Sequence, residues 1–538
     1  MSTRPTASSP TSVDAVIIGA GFSGLYQLHQ LREAGFKALA FDAAGGVGGT
    51  WYWNRYPGAR VDCQFPVYQY TFSQALVDKW NWQERFPGQE ETERYLNFCA
   101  DELDLRKDIR LNTRITSARF DETTKRWQVT TDHGDHYDAQ YFIPCTGILS
   151  APVIPFPGKE KFRGRLCHTA YWPREKVDFT GQRVGVVGSG ATAMQVIQTI
   201  ASEVGQLKVF QRTAQYAITV KNPKLTDADR DEVRKNLPAV RQRMKQSFGG
   251  LGFDLAANGS FHDHTPEERQ KLYEETWADG SLRYWIGVYP EVLFDEQANA
   301  EVSEFARRKI RAQLKDPKIA DRLTPTYRFG TRRVPLQYGY YEAFNLDTTE
   351  LVDVKEDPIE CITEKGLKLK SGAEHEVDIL IFATGFDAGR TLSRLEIRGR
   401  GGITVKDIWD KDLRTTMGLQ LHGFPNMFIP STGLAPAGAF CNIAYCLQQQ
   451  GQWITETLEY LRDHGLKVIE PTAEFEDAWV QHHDELVNAS LFPKTNTWYM
   501  GDNIGRKRRL IGYLGGNPDY EQRLKQVQDS GYAGFALA

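Results

Sequence analysis

The sequence predicts an α/β fold in which a strand, a glycine-rich turn and a helix occur twice. Two apolar runs rich in β-branched residues, at residues 13–18 and 183–187, each lead directly into a glycine-rich turn. Leu25, Leu28 and Leu31 follow the first turn at helical spacing, and a further short apolar run follows each unit. This order is typical of units that bind dinucleotides, so we predict two Rossmann-like domains.

The first turn has its glycines at Gly19, Gly21 and Gly24, with Phe22 and Ser23 between them. Such glycines let a pyrophosphate approach backbone N–H groups closely and let the helix pack tightly on the strand. The next apolar run ends at Asp42, 23 residues after Gly19 (42 − 19 = 23). A carboxylate at this position can accept hydrogen bonds from a ribose.

The second turn spans residues 188–193, with alanine in the third glycine position. Its predicted cofactor contacts are Gly188, Ser189, Gly190, Ala191, Thr192, Ala193, Gln195, Arg212 and Thr213. Gln211 and Arg212 replace the acid, because Gln211 lies 23 residues after Gly188 (211 − 188 = 23). An amide and a guanidinium can bind a 2′-phosphate that a carboxylate would repel, which favours NADP over NAD. The alternative is that Arg212 is a solvated surface charge. Together, the two turns predict FAD in the first domain and NADPH in the second.

Two apolar runs that end in Thr-Gly, at residues 146–147 and 384–385, predict where the chain passes between domains. We therefore expect the NADP domain to be inserted in the FAD domain. The predicted parts are residues 1–146 and 386–538 for FAD, residues 147–215 and 328–385 for NADP, and a helical insertion at 216–327. A stripe at Val233, Leu237, Val240, Met244 and Phe248 supports the helical insertion. His262 and His264 lie there without further ligands at suitable spacing, so we predict no metal site.

Composition excludes several classes of partner. The net charge of −4 provides no basic field for nucleic acid. No apolar stretch approaches the length of about 20 residues that a membrane-spanning helix needs. Seven sparse cysteines make no disulfide framework, and no secretory segment is evident, so we expect a cytoplasmic protein. A small-molecule substrate and a monomeric state are the remaining expectations.

Three further segments resemble the signatures of the type I Baeyer–Villiger monooxygenases. The first carries the family fingerprint at Phe162, Gly164, His168, Trp172 and Pro173. The second runs from Gly49 to Asp62, and the third is Phe-Gly-Thr-Arg-Arg-Val-Pro at residues 329–335. The resemblance extends to Trp498 and Tyr499, and so covers nearly the whole chain.

The resemblance implies an FAD-containing enzyme that uses NADPH and O2 to convert ketones into esters or lactones. A C4a-peroxyflavin would attack the ketone, with Arg333 stabilising the anionic tetrahedral adduct and Asp62 holding Arg333. Arg332 would contact the NADP phosphate, Trp498 would cover the nicotinamide ribose, and NADP+ would stay bound. The other implied cofactor contacts are Gly49, Thr50, Trp51, Tyr52, Trp53, Arg60, Val61, Tyr68 and Ile115. His168 would couple the domains, and sulfoxidation would be a side activity.

Some alternatives remain open. The chain departs from the family's usual Gly-Pro in the loop at residues 430–442, which leaves the size of the substrate pocket open. Asp62 and Arg333 could form a purely structural ion pair, and His168 could be an ordinary linker histidine. Cys441 and Cys446 have a spacing used by disulfide reductases but lie far from the first turn, which favours a structural role. A flavin monooxygenase for nitrogen or sulfur atoms, or a non-catalytic nucleotide-binding protein, are the competing functions.

Overall fold

The computed structural model describes residues 10–150, 152, 154–253, 258–388, 391–502 and 507–538. The strands are β1 (Thr11–Ile18), β2 (Ala38–Phe41), β3 (Ile109–Arg110), β4 (Ile115–Asp121), β5 (Arg126–Thr131), β6 (His136–Pro144), β7 (Arg165–His168), β8 (Arg183–Val187), β9 (Gln206–Gln211), β10 (Ile218–Thr219), β11 (Leu336–Gln337), β12 (Thr349–Asp353), β13 (Ile359–Ile362), β14 (Gly366–Leu369), β15 (Glu374–Glu376), β16 (Ile379–Phe382), β17 (Glu396–Arg398), β18 (Ile469–Pro471) and β19 (Phe535–Leu537). The α-helices are α1 (Phe22–Glu33), α2 (Thr50–Trp53), α3 (Gln74–Lys79), α4 (Gln89–Glu102), α5 (Ala191–Ile200), α6 (Asp227–Lys235), α7 (Leu237–Gln246), α8 (Pro266–Ala278), α9 (Arg283–Ile286), α10 (Glu296–Arg311), α11 (Pro317–Leu323), α12 (Tyr340–Ala343), α13 (Val405–Trp409), α14 (Ile443–Asp463), α15 (Ala473–Asn488) and α16 (Gly516–Asp529).

The first apolar run forms β1, which lies inside a sheet. Within the described residues this sheet has the order β17-β4-β5-β6-β1-β2-β3. Strands β6, β1, β2 and β3 are parallel, whereas β4, β5 and β6 form an antiparallel meander. Ala15, Val16 and Ile17 are fully buried because β1 has a strand on each side. The first glycine turn therefore lies at the carboxyl end of a buried parallel strand, where α/β folds bind ligands.

The second apolar run forms β8 in a separate sheet of order β12-β9-β8-β16-β7, as far as the described chain shows. Every strand pair in this sheet is parallel. The second glycine turn joins β8 to α5, so it also lies at a carboxyl strand end. Two Rossmann-like units are thus present, as the two turns predict.

Strand β17 shows that one unit is inserted in the other. It follows all strands of the second sheet in sequence, yet it pairs with β4 of the first sheet through Ile397 and Ala118. The chain therefore leaves the first unit, builds the second and returns. The predicted inserted architecture is confirmed, while the exact boundaries of the five segments stay predictions.

Helices α6 to α11 occupy most of residues 216–327, between β9 and β12. The apolar stripe runs over two helices rather than one, because α6 ends at Lys235 and Pro238 lies in the first turn of α7. Val233 and Met244 are nevertheless buried, so the stripe faces the core. In the described part of the chain, no cluster of three or more His, Cys, Asp or Glu side chains could hold a metal ion.

Cys441 and Cys446 form a disulfide between the loop before α14 and the first turn of that helix. The seven sparse cysteines of the sequence predict no disulfide framework, so this bond is a difference from that prediction. The other five cysteines are free. Among the described helices, none is both long and apolar enough to cross a membrane.

Candidate functional site

Asp62 and Arg333 form an ion pair that joins segments 271 residues apart in sequence. Nη2 of Arg333 donates a hydrogen bond to Oδ2 of Asp62 at 2.9 Å. The Asp62 side chain is 9% exposed, whereas 31% of the Arg333 side chain is exposed although protein surrounds it. A bound molecule can therefore reach the exposed part of the Arg333 side chain.

The Arg333 guanidinium stays protonated. Burial alone would lower the pKa of its guanidinium, but the negative charge of Asp62 and further neighbours outweigh burial and raise that pKa. The ring of Trp285 also lies against the cation, with 5.5 Å between the guanidinium carbon and the ring centre. Arg333 is consequently a permanent positive charge inside the molecule.

The first glycine turn leaves its backbone open to a ligand. Gly19 has a φ of +103°, and a Cβ at this position would lie 2.6 Å from the carbonyl oxygen of Cys145. Asp42 fixes the turn, because its carboxylate accepts hydrogen bonds from the backbone N–H groups of Ala20 (2.7 Å) and Ala44 (2.8 Å). Burial raises the pKa of Asp42, although these hydrogen bonds oppose that effect. Gly21, Phe22, Ser23 and Gly24 continue from the turn into α1. A cradle of this shape fits a dinucleotide.

The segment from Gly49 to Asp62 lies beside the first turn. A Cβ at Gly49 would meet the Cα of Gly21 at 2.8 Å, which places the two turns in contact. Nε1 of Trp51 donates a hydrogen bond to the Tyr68 hydroxyl at 3.0 Å. The remaining predicted contacts of this region lie in α2 or near it, and Ile115 begins β4: they are Thr50, Tyr52, Trp53, Arg60, Val61 and Ile115.

Helix α5 of the second unit is bonded directly to that same segment. Nε2 of Gln195 donates to the carbonyl oxygen of Arg60 at 3.0 Å, and the Tyr56 hydroxyl donates to Oε1 of Gln195 at 2.9 Å. Gly58, with a φ of +78°, lies so close that a Cβ would be 2.5 Å from the Gln195 carbonyl oxygen. The two units therefore meet with little freedom at this point.

The second turn is closed by Ser189, whose hydroxyl donates to the carbonyl oxygen of Thr213 at 2.6 Å. This bond ties the turn to the end of β9, next to Arg212. The other predicted residues of the turn follow in order, with α5 starting at Ala191: they are Gly188, Gly190, Ala191, Thr192 and Ala193. The turn and the strand end thus form one continuous edge.

Arg212 and Arg332 bring two positive charges together at this edge. Burial lowers the pKa of Arg332, and the positive charge of Arg212 lowers it further. Within the described residues neither guanidinium forms an ion pair, and the buried Nε of Arg332 has no hydrogen-bond partner. The negative charge of Asp502 opposes these effects on Arg332, but among the described residues it forms no ion pair with either arginine. Two adjacent cations of this kind fit an anionic group such as a phosphate.

The fingerprint segment forms the edge of the second sheet. His168 ends β7 opposite Phe382 of β16, and its Nδ1 accepts a hydrogen bond from the N–H of Ala170 at 3.0 Å. Gly164 packs so closely that a Cβ would lie 2.4 Å from the carbonyl oxygen of Asp378. Trp172 is buried. His168 thus lies next to the strand from which the chain returns to the first unit, consistent with the linker position that the resemblance implies, and Phe162 and Pro173 flank it in sequence.

Comparisons with known proteins agree with this arrangement. A family model for flavin-binding monooxygenase-like proteins matches residues 13–222. The chain is 50% identical to the acetone monooxygenase (methyl acetate-forming) of a Gordonia species, over 98% of this chain and all of that protein. It is 39% identical to a Baeyer–Villiger monooxygenase of Pseudooceanicola batsensis (98% and 97% covered) and 40% identical to a phenazine N-monooxygenase of Lysobacter antibioticus (98% and 97% covered).

A solved structure of OTEMO in complex with FAD and NADP superimposes with a TM-score of 0.95 at 35% identity, covering 98% of this chain and all of that one. The chain belongs to the Baeyer–Villiger monooxygenases. The similarity spans both dinucleotide-binding units and the helical insertion.

In this Baeyer–Villiger monooxygenase, aromatic side chains from three distant segments form a cluster that reaches Arg333 through Trp285. Phe440, from the loop that departs from the family pattern, is buried and lies 5.0 Å from Tyr499, 5.2 Å from Phe492 and 6.0 Å from Trp285 between ring centres. Trp498 packs on Tyr499 at 4.3 Å. The family resemblance pointed to Trp498 and Tyr499, but nothing in the sequence pointed to Trp285 and Phe492, because no local pattern connects these segments.

Proposed function

We propose that this chain is an FAD-containing, NADPH- and O2-dependent enzyme that converts ketones into esters or lactones. The overall reaction consumes one ketone, one O2, one NADPH and one proton, and it yields the ester, NADP+ and water. The observation that carries the proposal is the Asp62–Arg333 pair, in which a hydrogen bond to Asp62 holds the partly exposed Arg333 cation in place. Family membership supports the same reaction.

The two glycine turns are where we expect the cofactors. The cradle at Gly19 and Asp42 fits the pyrophosphate and ribose of FAD, and the turn at Gly188 fits NADPH, with Arg212 and Arg332 on its 2′-phosphate. When bound, these cofactors supply a hydride and an oxygen atom activated on the flavin. The residues of the chain bind and orient them and stabilise charge.

Arg333 is the proposed catalytic residue. When the ketone carbon becomes tetrahedral, negative charge moves onto the carbonyl oxygen, and a fixed cation beside that oxygen lowers the barrier. A guanidinium suits this task because it stays charged and offers several donors in a rigid fork. Asp62 is the proposed positioning residue. It accepts a hydrogen bond from one N–H group of Arg333, which orients the other N–H groups toward the bound substrate.

We further propose short-chain ketones as the substrate class. The relative that shares 50% identity is an acetone monooxygenase, and Phe440 with Phe492 and Trp285 narrows the space beside Arg333. Because these rings are apolar, the pocket favours small hydrophobic groups on either side of the carbonyl.

The test is incubation of the purified enzyme with NADPH, 18O2 and linear, cyclic and aryl ketones, followed by mass spectrometry. We expect esters or lactones that carry a single heavy oxygen, with the best turnover for short linear ketones. Consumption of NADPH with every ketone unchanged would contradict the proposal. Gel filtration of the same sample tests the expected monomer.

A second candidate is oxygenation of nitrogen or sulfur atoms, favoured by the 40% identity to a phenazine N-monooxygenase. That reaction forms no carbonyl oxyanion, so it has less need of Arg333. Thioethers and tertiary amines in the same assay separate the two candidates: oxides alone would establish the second, whereas esters establish the first.

A further inference from the structure

Tyr499 carries a buried hydroxyl group that no other part of the site explains. Its side chain is 1% exposed; the Arg333 guanidinium interacts with the phenol oxygen, but among the described residues the hydroxyl proton has no acceptor. Burying a hydroxyl proton without an acceptor destabilises a folded protein, and at Tyr499 this proton lies next to a charged pair, where a bound molecule can accept it.

Tyr499 belongs to the ring cluster that reaches the Asp62–Arg333 pair. Phe440 lies 5.0 Å from Tyr499 and 6.0 Å from Trp285 between ring centres, and Trp285 lies against the Arg333 guanidinium at 5.5 Å. Burial raises the pKa of Tyr499 to about 12; the positive charge of Arg333 and its hydrogen bonding to the phenol oxygen oppose this rise, while the negative charge of Asp62 adds to it. Tyr499 in turn contributes to the raised pKa of Arg333. Each group therefore senses the other, and the phenol keeps its proton throughout the neutral range.

The backbone holds the ring in one position. Thr497 caps the short helical turn of Trp498–Met500 by accepting a hydrogen bond from the Tyr499 N–H at 3.3 Å. The Tyr499 carbonyl accepts another from the N–H of Ile511 at 2.9 Å. Rings of Phe440 and Trp498 pack on it at 5.0 and 4.3 Å. A rigid donor of this kind is preorganised for a bound group.

We propose that Tyr499 is a second catalytic residue, whose hydroxyl donates a hydrogen bond to the carbonyl oxygen of the ketone beside Arg333. This inference rests on the proposed function. Arg333 supplies charge and Tyr499 supplies a neutral donor, so the oxygen receives two hydrogen bonds as its negative charge grows. No proton is transferred, and the phenol remains a phenol through the step.

The test compares two substrates of similar shape, butan-2-one and ethyl methyl sulfide, of which only the ketone has a carbonyl oxygen. In the holoenzyme, Tyr499→Phe should lower kcat/KM for butan-2-one by about 10- to 100-fold, the range expected for one lost donor when Arg333 remains. Sulfoxidation and NADPH-dependent flavin reduction should stay within about twofold of wild type.

Tyr340→Phe is the matched control. Tyr340 is also fully buried and its hydroxyl also has no partner among the described residues, but burial alone raises its pKa. We expect both reactions to be unchanged in this variant. Tyr499→His, which restores a donor, should recover part of the ketone activity that Tyr499→Phe loses.

A readout without turnover is the binding of butan-2-one to the FAD- and NADP+-loaded enzyme, followed by tryptophan fluorescence. Tyr499→Phe should weaken this binding while the melting temperature stays close to that of Tyr340→Phe. Equal losses on the ketone and the sulfide would show a structural role and overturn the inference, as would full ketone activity in Tyr499→Phe. If the wild type makes no ester from any ketone, the proposed function fails instead.

Discussion

The side chain of Gln195 bonds to both Tyr56 and the backbone of Arg60, so helix α5 of the second unit is anchored to the segment that leads to Asp62. The two hydrogen bonds measure 2.9 and 3.0 Å. Because Asp62 follows Arg60 by two residues, the anchor fixes the position of the ion pair relative to the second glycine turn. The Tyr56–Gln195 contact therefore helps to fix how the two units pack and where Asp62 and Arg333 lie relative to the second glycine turn.

Arg333→Ala should abolish most ester formation. Removal of a donor to a developing oxyanion costs about 2.7–4 kcal/mol, or about 10²–10³ in kcat. Arg333→Lys should recover little, since an ammonium cannot bind Asp62 and the substrate with the same planar fork. The measurement is the steady-state rate of ester formation by gas chromatography. Ester formation at the wild-type rate in Arg333→Ala would refute the role.

Asp62→Asn should lower ketone turnover less than Arg333→Ala does. The amide can still accept a hydrogen bond from Arg333, but it no longer compensates the buried positive charge. We expect a fall of about tenfold in kcat with a smaller change in KM, since orientation rather than binding is lost. The control is the rate of flavin reduction by NADPH, measured by rapid mixing. This rate should match wild type if the cofactor sites of the variant are correctly folded. A wild-type kcat would favour a purely structural ion pair.

Arg212→Ala should shift coenzyme preference toward NADH. A hydrogen bond to a charged group contributes about 1.5–3 kcal/mol, so the ratio of kcat/KM for NADPH to that for NADH should fall by about tenfold or more. Arg332→Ala should act in the same direction, and the double variant should lose still more. Nearly equal use of both coenzymes by the wild type would contradict the assignment of these two arginines.

Tyr56→Phe and Gln195→Leu should be energetically coupled. Each removes one side of the same hydrogen bond, so a double-mutant cycle on the free energy of unfolding should give an interaction of about 0.5–1.5 kcal/mol. Chemical denaturation of the FAD-loaded protein measures it. A matched cycle between Tyr56 and Tyr532, whose hydroxyl donates to Thr457 of α14 instead, should be additive. Additivity in both cycles would mean that the contact contributes nothing to holding the units.

Phe440→Leu should widen the substrate range. The smaller side chain removes ring contacts with Phe492 and Trp285, which leaves space beside Arg333. We expect KM for short ketones to rise and turnover of aryl ketones to increase, measured by competition between a short and an aryl ketone in one vessel. Unchanged relative rates would show that this loop does not bound the pocket.

Local sequence patterns predicted the strands, glycine turns and helices whose formation depends on residues close together in the chain. The turns at Gly19 and Gly188 follow buried strands because their glycines, strand periodicity and helix spacing all lie within about 30 residues. The partnership of Asp62 with Arg333 came only from the family resemblance, since no local rule joins residues so far apart. Tyr499 and Trp285 approach Arg333 through packing of the helical insertion and the C-terminal segment, which periodicity cannot reveal. The disulfide was missed for the same reason, because spacing alone does not show that Cys441 and Cys446 meet.

The close approach of Gly58 to helix α5 has a practical consequence for building hybrids of these enzymes. An exchange of residues 147–385 between relatives would replace helix α5 but keep the turn at residues 56–60 that packs on it. In that turn Gly58 leaves no space for a Cβ, and Tyr56 must still bond to the residue at position 195. Crossover points at the two Thr-Gly linkers alone would thus combine a turn at residues 56–60 from one enzyme with a helix α5 from another, although the two are shaped to fit each other. A working hybrid should carry residues 56–60 together with the exchanged coenzyme unit.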